Sequence, residues 1–550
     1  MRQRWVRRAG CPFLGVLLSP DPMSSPPSYH RLVHVDWSGG GILRILTIMF
    51  LILLCLISLL CLYLELRISI LHPSNDVYIF QTVARGILNG LIPYQDLLET
   101  KPPGIFLLNA MSLFLFEDRT LLSVLNIIFS IVFVMISLIT SLYYSRELPF
   151  WQSMNVLSGG LLVGMITAIW HATRGGMPDF YATVLCSLYA LSLTVPVSWK
   201  VRFPLGSICM FGVVFLREPL VPVFLATALL LTPLNWKALI RNVALPGVVG
   251  STIWAAVMWF LGYLGPYIYI YLPTVLIRSD SDPLTRWGSA FVGMVASLWH
   301  ISPFFVPAIG GMIAFVLLPQ TKQNWKQSVG FLLYFIVALF FTMMAVHPLD
   351  DSGGYHAFAI PFYSAISILW LRKFRIALIQ SQLWGSAISY GITVLLMLTV
   401  LTYPLLHYTE LAESGRINKD ISTQWRIAQQ IDAILDDCGQ DRYLHLGPID
   451  QFFTGLTRHS PYGPGFFLGE NLTRKDIIGR GLVENIYRTN IALVWKTGIV
   501  IENGAAPYIL DSTTELQRNF QIEPWSCVRH DFTNDLYVLL FRKTPLLRTQ

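Results

Sequence analysis

Charged residues are scarce in this sequence. Lysine, arginine, aspartate and glutamate make up 13% of its 550 residues, which is about half of the share found in soluble globular proteins. Hydrophobic residues make up 54%, and the mean hydropathy is +0.55. This balance excludes a soluble enzyme for the chain as a whole. It also excludes a nucleic-acid-binding protein, despite the formal net charge of +7.

Cysteines are also few, and the seven present do not form the pattern of a disulfide framework. Four lie in apolar runs, where small buried or lipid-facing residues are expected: Cys55, Cys61, Cys186 and Cys209. Cys438 and Cys527 stand alone in the polar C-terminal part. They can pair if that part lies outside the cytoplasm, and the sequence leaves this open.

The charge that is present is unevenly distributed. Residues 1–405 contain 24 Lys and Arg and 15 Asp and Glu, whereas residues 406–550 contain 15 and 17. The second density is normal for a soluble domain. We therefore predict a polytopic α-helical membrane domain over 43–405 and a small C-terminal α/β domain over 406–550. Residues 1–42 are basic and rich in proline, which predicts a disordered tail.

Apolar runs predict about eleven membrane spans, since a helix needs roughly 20 residues to cross. The runs lie at about 43–64, 120–143, 153–171, 179–196, 203–216, 219–234, 243–264, 301–318, 328–346, 356–371 and 383–405. A further run, Gly104–Phe116, has only 13 residues. It is too short to cross the membrane as a straight helix.

The distribution of loop charges gives the orientation. With eleven spans, the short loops on the side of the N-terminal tail carry 10 Lys and Arg in 44 residues, and the opposite loops carry 8 in 109. Positive charge marks the cytoplasmic side, so we predict a multi-pass plasma-membrane protein with a cytoplasmic N-terminus and an extracytoplasmic C-terminal domain. Gly104–Phe116 then becomes a re-entrant or surface-lying helix on the outer face.

Acidic residues concentrate on that outer face. Of the 15 in residues 1–405, twelve fall in predicted outer loops or at outer span ends. Asp and Glu contribute little to topology, so this imbalance favours an outward-facing site that uses carboxylates. The alternative is that the outer loops are simply longer.

The long outer loop 65–119 contains the clearest pattern. Asp76 precedes an apolar stripe at helical spacing, formed by Val77, Phe80, Ala84, Ile87 and Leu88. Asn89-Gly90 and Pro93 then end the helix. Asp76 is thus predicted to head an amphipathic helix at the membrane surface, either as a functional carboxylate or only as an N-cap.

The next segment of the loop is Glu99-Thr100-Lys101-Pro102-Pro103-Gly104. The two prolines stiffen the backbone directly after Lys101. A cation held at headgroup depth suits a lipid phosphate. Snorkelling of Lys101 to the interface is the alternative.

Together these segments resemble the GT-C glycosyltransferases. The resemblance rests on Asp76 at a helix start, the Gly90–Tyr94 turn of G-x-x-P-Y type, and the Lys101–Gly104 segment before an apolar helix. It covers about residues 70–200 and is strongest to the group of protein O-mannosyltransferases, aminoarabinose–lipid A transferases and lipopolysaccharide glycosyltransferases. It implies a polyprenyl-phosphate sugar donor and transfer to a lipid, glycan or protein acceptor on the outer face, in cell-envelope synthesis.

The resemblance also implies roles for individual residues. Asp76 corresponds to the catalytic base, and Lys101 to the lysine near the donor phosphate. Asp179 corresponds to an acid that holds a divalent metal (Mg, Mn or Zn) in some members, and Glu99 is a second candidate ligand. Glu99 departs from the pattern because Thr100 separates it from Lys101, and Asp96 competes for its role. His356 and Tyr94 are expected along the acceptor path.

Two arginines are further phosphate-binding candidates. Arg217 lies between two short apolar runs, at the predicted outer turn of a helical hairpin. An arginine at that depth is costly unless it is used or paired, so it either contacts the donor phosphate or pairs with Glu218. Arg174 is a weaker candidate for the same role.

The C-terminal domain contains no nucleotide-binding glycine loop and no nucleophile motif. Its pattern predicts a helix over Gln424–Asp437 and strands over Arg442–Leu446, Ile491–Trp495 and Leu536–Phe541. Two other function classes compete with a glycosyltransferase. A transporter or flippase of lipid-linked sugars predicts mid-span charges and internal repeats, and neither is seen. An O-antigen ligase or polymerase does not account for the Lys101–Gly104 segment.

Overall fold

The computed structural model describes residues 75–145, 176–233, 235–277, 422–446, 451–462, 486–495, 516–521 and 537–546, with isolated positions elsewhere. The chain divides into two compact units. The first, here called the helical unit, contains Leu125–Trp254. The second, the loop–domain unit, brings together His72–Val124, Ala255–Ser281 and Gly415–Gln550.

The described helices, in chain order, are α1 (Asn75–Leu88), α2 (Pro103–Phe116), α3 (Thr120–Ser145), α4 (Pro178–Thr194), α5 (Trp199–Arg217), α6 (Val221–Leu231), α7 (Trp236–Leu239), α8 (Leu245–Phe260), α9 (Leu264–Pro266), α10 (Leu272–Ile277), α11 (Ser422–Asp437) and α12 (Gln451–Leu456). A 3-10 turn, Glu218–Leu220, links α5 to α6. Single π turns occupy Ile240–Ala244 and Tyr267–Tyr271.

Three helical segments of the described chain are long and apolar enough to cross a membrane. They are Thr120–Tyr143, Trp199–Leu231 and Trp236–Phe260, at positions where spans were predicted. The predicted span 179–196 corresponds to α4, which has 17 residues and is largely buried. The remaining predicted spans are described at scattered positions only or not at all, and the 1–42 tail lies outside the described residues.

The segment Trp199–Leu231 is not straight. Arg217 has an extended backbone conformation (φ −159°, ψ 84°). A straight helix would separate Gly206 and Phe224 by about 27 Å, yet both contact Tyr189. The rings of Tyr189 and Phe224 stack 5.0 Å apart, and a Cβ on Gly206 would lie 2.5 Å from the Tyr189 ring. The chain therefore folds back after Arg217, as the predicted hairpin requires.

The C-terminal region contains a five-stranded mixed sheet. Its strands are β1 (Arg442–Leu446), β2 (Ser460–Pro461), β3 (Ile491–Trp495), β4 (Phe520–Gln521) and β5 (Tyr537–Arg542), in the order β2-β1-β3-β5-β4. β1 pairs in parallel with β2 and β3, and β5 pairs antiparallel with β3 and β4.

One face of this sheet is covered by α11. Apolar residues at helical spacing on α11, such as Ile427, Ile431 and Leu435, pack with Tyr443 of β1 and Leu493 of β3. A disulfide joins Cys438, just after α11, to Cys527. The sequence left open whether Cys438 and Cys527 pair, and the structure shows that they do.

Candidate active site

Asp76 lies in the first turn of α1 and is partly exposed. The helix begins at Asn75 and ends before Gly90, which adopts a left-handed conformation (φ +81°). Both ends agree with the boundaries expected from the sequence. A carboxylate in the first turn is stabilised by the partial positive charge of the helix N-terminus.

The apolar stripe of α1 packs against α2. The ring centroids of Phe80 and Phe106 lie 6.0 Å apart, and Ala84 shares a buried cluster with Ala110 and Leu113. Partner positions increase together along the two helices, so α1 and α2 run parallel. The 14 residues of α2 form a helix of about 21 Å, shorter than the roughly 30 Å hydrocarbon layer.

Parallel packing brings the two candidate residues of this loop to the same end of the helix pair. Asp76 is in the first turn of α1, and Lys101 lies two positions before Pro103, the first residue of α2. The axes of packed helices are typically about 8–10 Å apart. Both side chains are partly exposed. Asp76 and Lys101 therefore lie at the N-terminal ends of two packed helices, and the partial positive charge of each helix N-terminus favours an anion.

The opposite face of α1 is covered as well. The hydroxyl of Thr82 donates to that of Thr454 in α12 at 3.2 Å. Nε of Arg85 donates to the carbonyl of Gly455 at 3.3 Å, and Nδ2 of Asn89 to the hydroxyl of Ser460 at 3.1 Å. The sequence predicted an amphipathic helix at the membrane surface, and its polar face packs on the C-terminal region.

Leu88 belongs to the apolar stripe that was predicted for α1, and 46% of the residue is exposed. Gln81 and Thr82, which are polar, are buried instead. Helix α1 packs on α2 with one face and on α12 with the other. Residues on both faces are therefore buried, and not only those of the apolar stripe.

Electrostatics at the contact between α1 and the C-terminal region involve two opposite charges. Burial lowers the pKa of the Arg85 guanidinium, an effect that the charge of Asp432 opposes. Burial raises the pKa of the Asp432 carboxyl, against the hydrogen bonds that it accepts from the backbone N–H groups of Arg458 and His459. The attraction between Arg85 and Asp432 therefore acts across this contact.

The turn between α1 and α2 is held by its own side chains. Oδ2 of Asp96 accepts a hydrogen bond from the backbone N–H of Ile92 at 2.8 Å. The hydroxyl of Tyr94 donates to the carbonyl of Lys101 at 2.9 Å. Tyr94 is fully buried, which is an unexpected environment for a residue predicted to line the acceptor path. Glu99 is also buried.

In the helical unit, Arg217 pairs with Asp179. Nε of Arg217 lies 2.6 Å from Oδ1 of Asp179, and both residues are buried. Asp179 is in the first turn of α4, and Arg217 ends α5. From the sequence, Arg217 was expected either to contact the donor phosphate or to pair with Glu218. The structure pairs it with Asp179 of the neighbouring helix, which joins two residues that were predicted as separate candidates.

The remaining candidates are Arg174, His356 and the predicted metal ligands Glu99 and Asp179. Arg174 and His356 lie outside the described residues. Within the described residues, no group of three or more His, Cys, Asp or Glu is arranged to hold a metal ion. Asp179 contacts a guanidinium, which occupies one of its carboxylate oxygens. A metal role for Glu99 and Asp179 stays a prediction.

Several residues of this region were not identified from the sequence. Thr454 and Gly455 lie in a short helix with no distinctive motif, more than 360 positions from α1. A Cβ on Gly455 would lie 2.6 Å from the carbonyl oxygen of Tyr78, so only glycine fits there. Nothing in the pattern around Gly455 indicates this contact.

Neither the known family models nor the curated proteins contain a match to this chain. Among solved structures, it is similar to ArnT from Cupriavidus metallidurans bound to undecaprenyl phosphate. The TM-score is 0.52 and the identity 12%, over 89% of this chain and 97% of that chain. ArnT is an aminoarabinose–lipid A transferase with the GT-C fold. The present chain has the GT-C fold.

Two further structures match with lower scores. The same ArnT in the apo state gives a TM-score of 0.48 at 12% identity, over 89% of this chain and 97% of that chain. An oligosaccharyltransferase from Archaeoglobus fulgidus in complex with Zn and sulfate gives 0.40 at 11% identity, over 80% of this chain and 68% of that chain. The GT-C fold predicted from the first outer loop is thus confirmed by the comparison with undecaprenyl-phosphate-bound ArnT.

Proposed function

We propose that this protein is an integral-membrane glycosyltransferase. It transfers a sugar from a polyprenyl-phosphate-linked donor to an acceptor on the outer face of the membrane, in the synthesis of a cell-envelope glycan or glycolipid. The observation that carries the proposal is the parallel packing of α1 on α2, which brings Asp76 and Lys101 to one end of the pair. The GT-C fold, shared with a protein solved with undecaprenyl phosphate, supports the class of donor.

In the proposed reaction, Asp76 removes the proton from the acceptor hydroxyl. An Asp carboxylate can act as a general base when it lies within reach of that proton. The acceptor oxygen then attacks the anomeric carbon, and the bond from this carbon to the phosphate oxygen breaks. Direct displacement of this kind inverts the anomeric centre.

The departing phosphate gains negative charge as that bond breaks. Lys101 stabilises this charge in the proposed donor site. Arg217 and Arg174 are separate candidates for contact with the donor phosphate. Cationic groups fixed near a developing charge lower the barrier, because they do not need to reorganise during the reaction. Asp179 holds the Arg217 guanidinium in place. Glu99 is proposed to position neighbouring groups.

The disulfide supports the proposed orientation. Disulfides persist in oxidising compartments and are rare in the cytosol. The Cys438–Cys527 bond lies in the loop–domain unit, which also contains Asp76 and Lys101. An extracytoplasmic position for this unit agrees with the scarcity of positive charge in its loop.

Native mass spectrometry of the purified full-length protein with a short-chain polyprenyl-phosphate sugar tests the proposal. We expect the wild type to bind the donor, Lys101→Ala to lose most of the binding, and Asp76→Asn to retain it. Absence of binding by the wild type to a panel of such donors would overturn the proposal. Equal binding by Lys101→Ala would remove Lys101 from the donor site.

A further inference from the structure

Tyr94 has an unusual backbone conformation. Its φ is +70°, and the only other non-glycine residue with positive φ in the described chain is Glu117 at the C-terminal cap of α2. The left-handed region is unfavourable for a bulky aromatic residue. Strain of this kind persists where the surrounding structure over-determines the conformation, and it clusters at functional sites.

The packing around Tyr94 fixes this conformation. Its backbone N–H donates to the carbonyl of Leu97 at 2.8 Å. Its ring lies 4.9 Å from that of Tyr271 and 5.9 Å from that of Tyr267, centroid to centroid. The π turn Tyr267–Tyr271 stacks these two tyrosines on each other at 4.7 Å. Phe106 of α2 contacts another part of the Tyr94 ring, at 6.2 Å.

The hydroxyl is the polar end of this buried side chain, and it donates to the carbonyl of Lys101 at 2.9 Å. Lys101 precedes Pro102, the N-cap of α2, and Pro103, its first residue. Its carbonyl therefore lies outside the hydrogen-bond ladder of the helix. The contact with Tyr94 ties the backbone of Lys101 to the aromatic cluster of Tyr94, Phe106, Tyr267 and Tyr271.

We propose that Tyr94 is a positioning residue for Lys101. By holding the Lys101 carbonyl, its hydroxyl fixes the backbone from which the ammonium extends toward the donor phosphate. This inference rests on the proposed function and deepens it, since it assigns a buried side chain to donor recognition. It replaces the role on the acceptor path, which the complete burial of Tyr94 does not favour.

The test compares Tyr94→Phe with the wild type in full-length protein. This substitution removes the hydroxyl and keeps the ring, so that the packing on Tyr267 and Tyr271 is retained. The dissociation constant of a short-chain polyprenyl phosphate is measured by native mass spectrometry at several salt concentrations. We expect Tyr94→Phe to weaken binding about fivefold, as for the loss of one neutral hydrogen bond. Its binding should also depend less on salt, because Lys101 is less well placed.

Tyr443→Phe is the matched control. Tyr443 is also a fully buried tyrosine of the loop–domain unit, and its hydroxyl contacts Thr457 at 3.2 Å. The Tyr443→Phe variant should bind the polyprenyl phosphate with wild-type affinity and wild-type salt dependence. If Tyr443→Phe weakens binding as much as Tyr94→Phe, the effect is general destabilisation and the inference fails. Unchanged binding in Tyr94→Phe overturns it directly.

A double variant separates positioning from mere stability. In a Lys101→Ala background, Tyr94→Phe should have no further effect, because the group that it positions is gone. A further fivefold loss would contradict the inference. If Lys101→Ala abolishes measurable binding, the salt dependence of binding by the single variant Tyr94→Phe tests the inference, and it should be smaller than that of the wild type. If the wild type itself does not bind, or Lys101→Ala binds normally, the proposed function or its donor site fails, and this inference fails with it.

Discussion

Gly455 of α12 packs directly on the backbone of Tyr78 in α1. A Cβ at position 455 would lie 2.6 Å from the carbonyl oxygen and 2.8 Å from the Cα of Tyr78, distances that atoms do not adopt without a shift. The neighbouring residue, Thr454, hydrogen-bonds to Thr82 on the next turn of α1. The helix that carries Asp76 in its first turn is therefore held by the C-terminal region over two turns.

Gly455→Ala should accordingly impair the protein. The added methyl group meets backbone atoms, so α12 must move away from α1, at a cost of about 1–3 kcal/mol in the free energy of unfolding. We expect a lower melting temperature in detergent and a loss of sugar transfer. Gly265→Ala is the control, since a Cβ there meets nothing within 4 Å. Equal behaviour of the two variants would show that the close contact has no consequence.

Asp76→Asn should lower the turnover number by about 10²–10⁴-fold, the usual contribution of a general base. Its melting temperature should stay close to that of the wild type. Asp118→Asn is the control, since Oδ1 of Asp118 accepts a hydrogen bond from the backbone N–H of Thr120 at the start of α3. It should change the stability little, because asparagine caps a helix about as well as aspartate, and it should leave the turnover number unchanged. A full rate for Asp76→Asn would exclude Asp76 as the base.

The Arg217–Asp179 pair allows stability and function to be separated. Removing one partner leaves a buried charge, so Arg217→Met or Asp179→Leu alone should cost about 3–5 kcal/mol. The double variant, with two apolar side chains, should regain most of this stability. If Arg217 binds the donor phosphate, the double variant remains inactive when it is folded. An active double variant would show that the pair is only structural.

Loss of the Cys438–Cys527 disulfide should destabilise the C-terminal region. The bond joins positions 89 residues apart, and removal of a native disulfide typically costs about 2–5 kcal/mol. We expect Cys438→Ser, and the wild type treated with a reductant, to show the same lower melting temperature. Cys55→Ser, which removes a free thiol, should not change it. Insensitivity of the wild type to reductant would argue against a bond that contributes to stability.

Local patterns in the sequence predicted the elements of this fold accurately. The strands Arg442–Leu446 and Ile491–Trp495 have the predicted bounds, because strand-forming residues flanked by polar ones mark both. The helix at Asp76 and its end near Gly90 followed from an apolar stripe and a turn signal. Gly104–Phe116 differs from α2 by one residue, since a proline pair marks the start of that helix.

Contacts between distant segments could not be predicted. The covering of α1 by α12 depends on one glycine and one threonine hydroxyl, and neither has a periodic signal. Arg217 was expected to contact either Glu218 or the donor phosphate, because Asp179 lies 38 positions earlier and becomes its neighbour only when α4 packs on α5. The left-handed conformation of Tyr94 could not be predicted either, since glycine and asparagine are the residues whose presence in a sequence indicates a left-handed backbone.

The contact between α1 and α12 can form only late in the synthesis of the chain. Thr82 and Thr454 are 372 positions apart, so at about 5–20 residues per second α12 leaves the ribosome roughly 20–70 s after α1. During this interval the early spans insert while one face of α1 has no partner. An unfinished or truncated chain can therefore occupy the membrane before the helix that carries Asp76 has its partner in the C-terminal region.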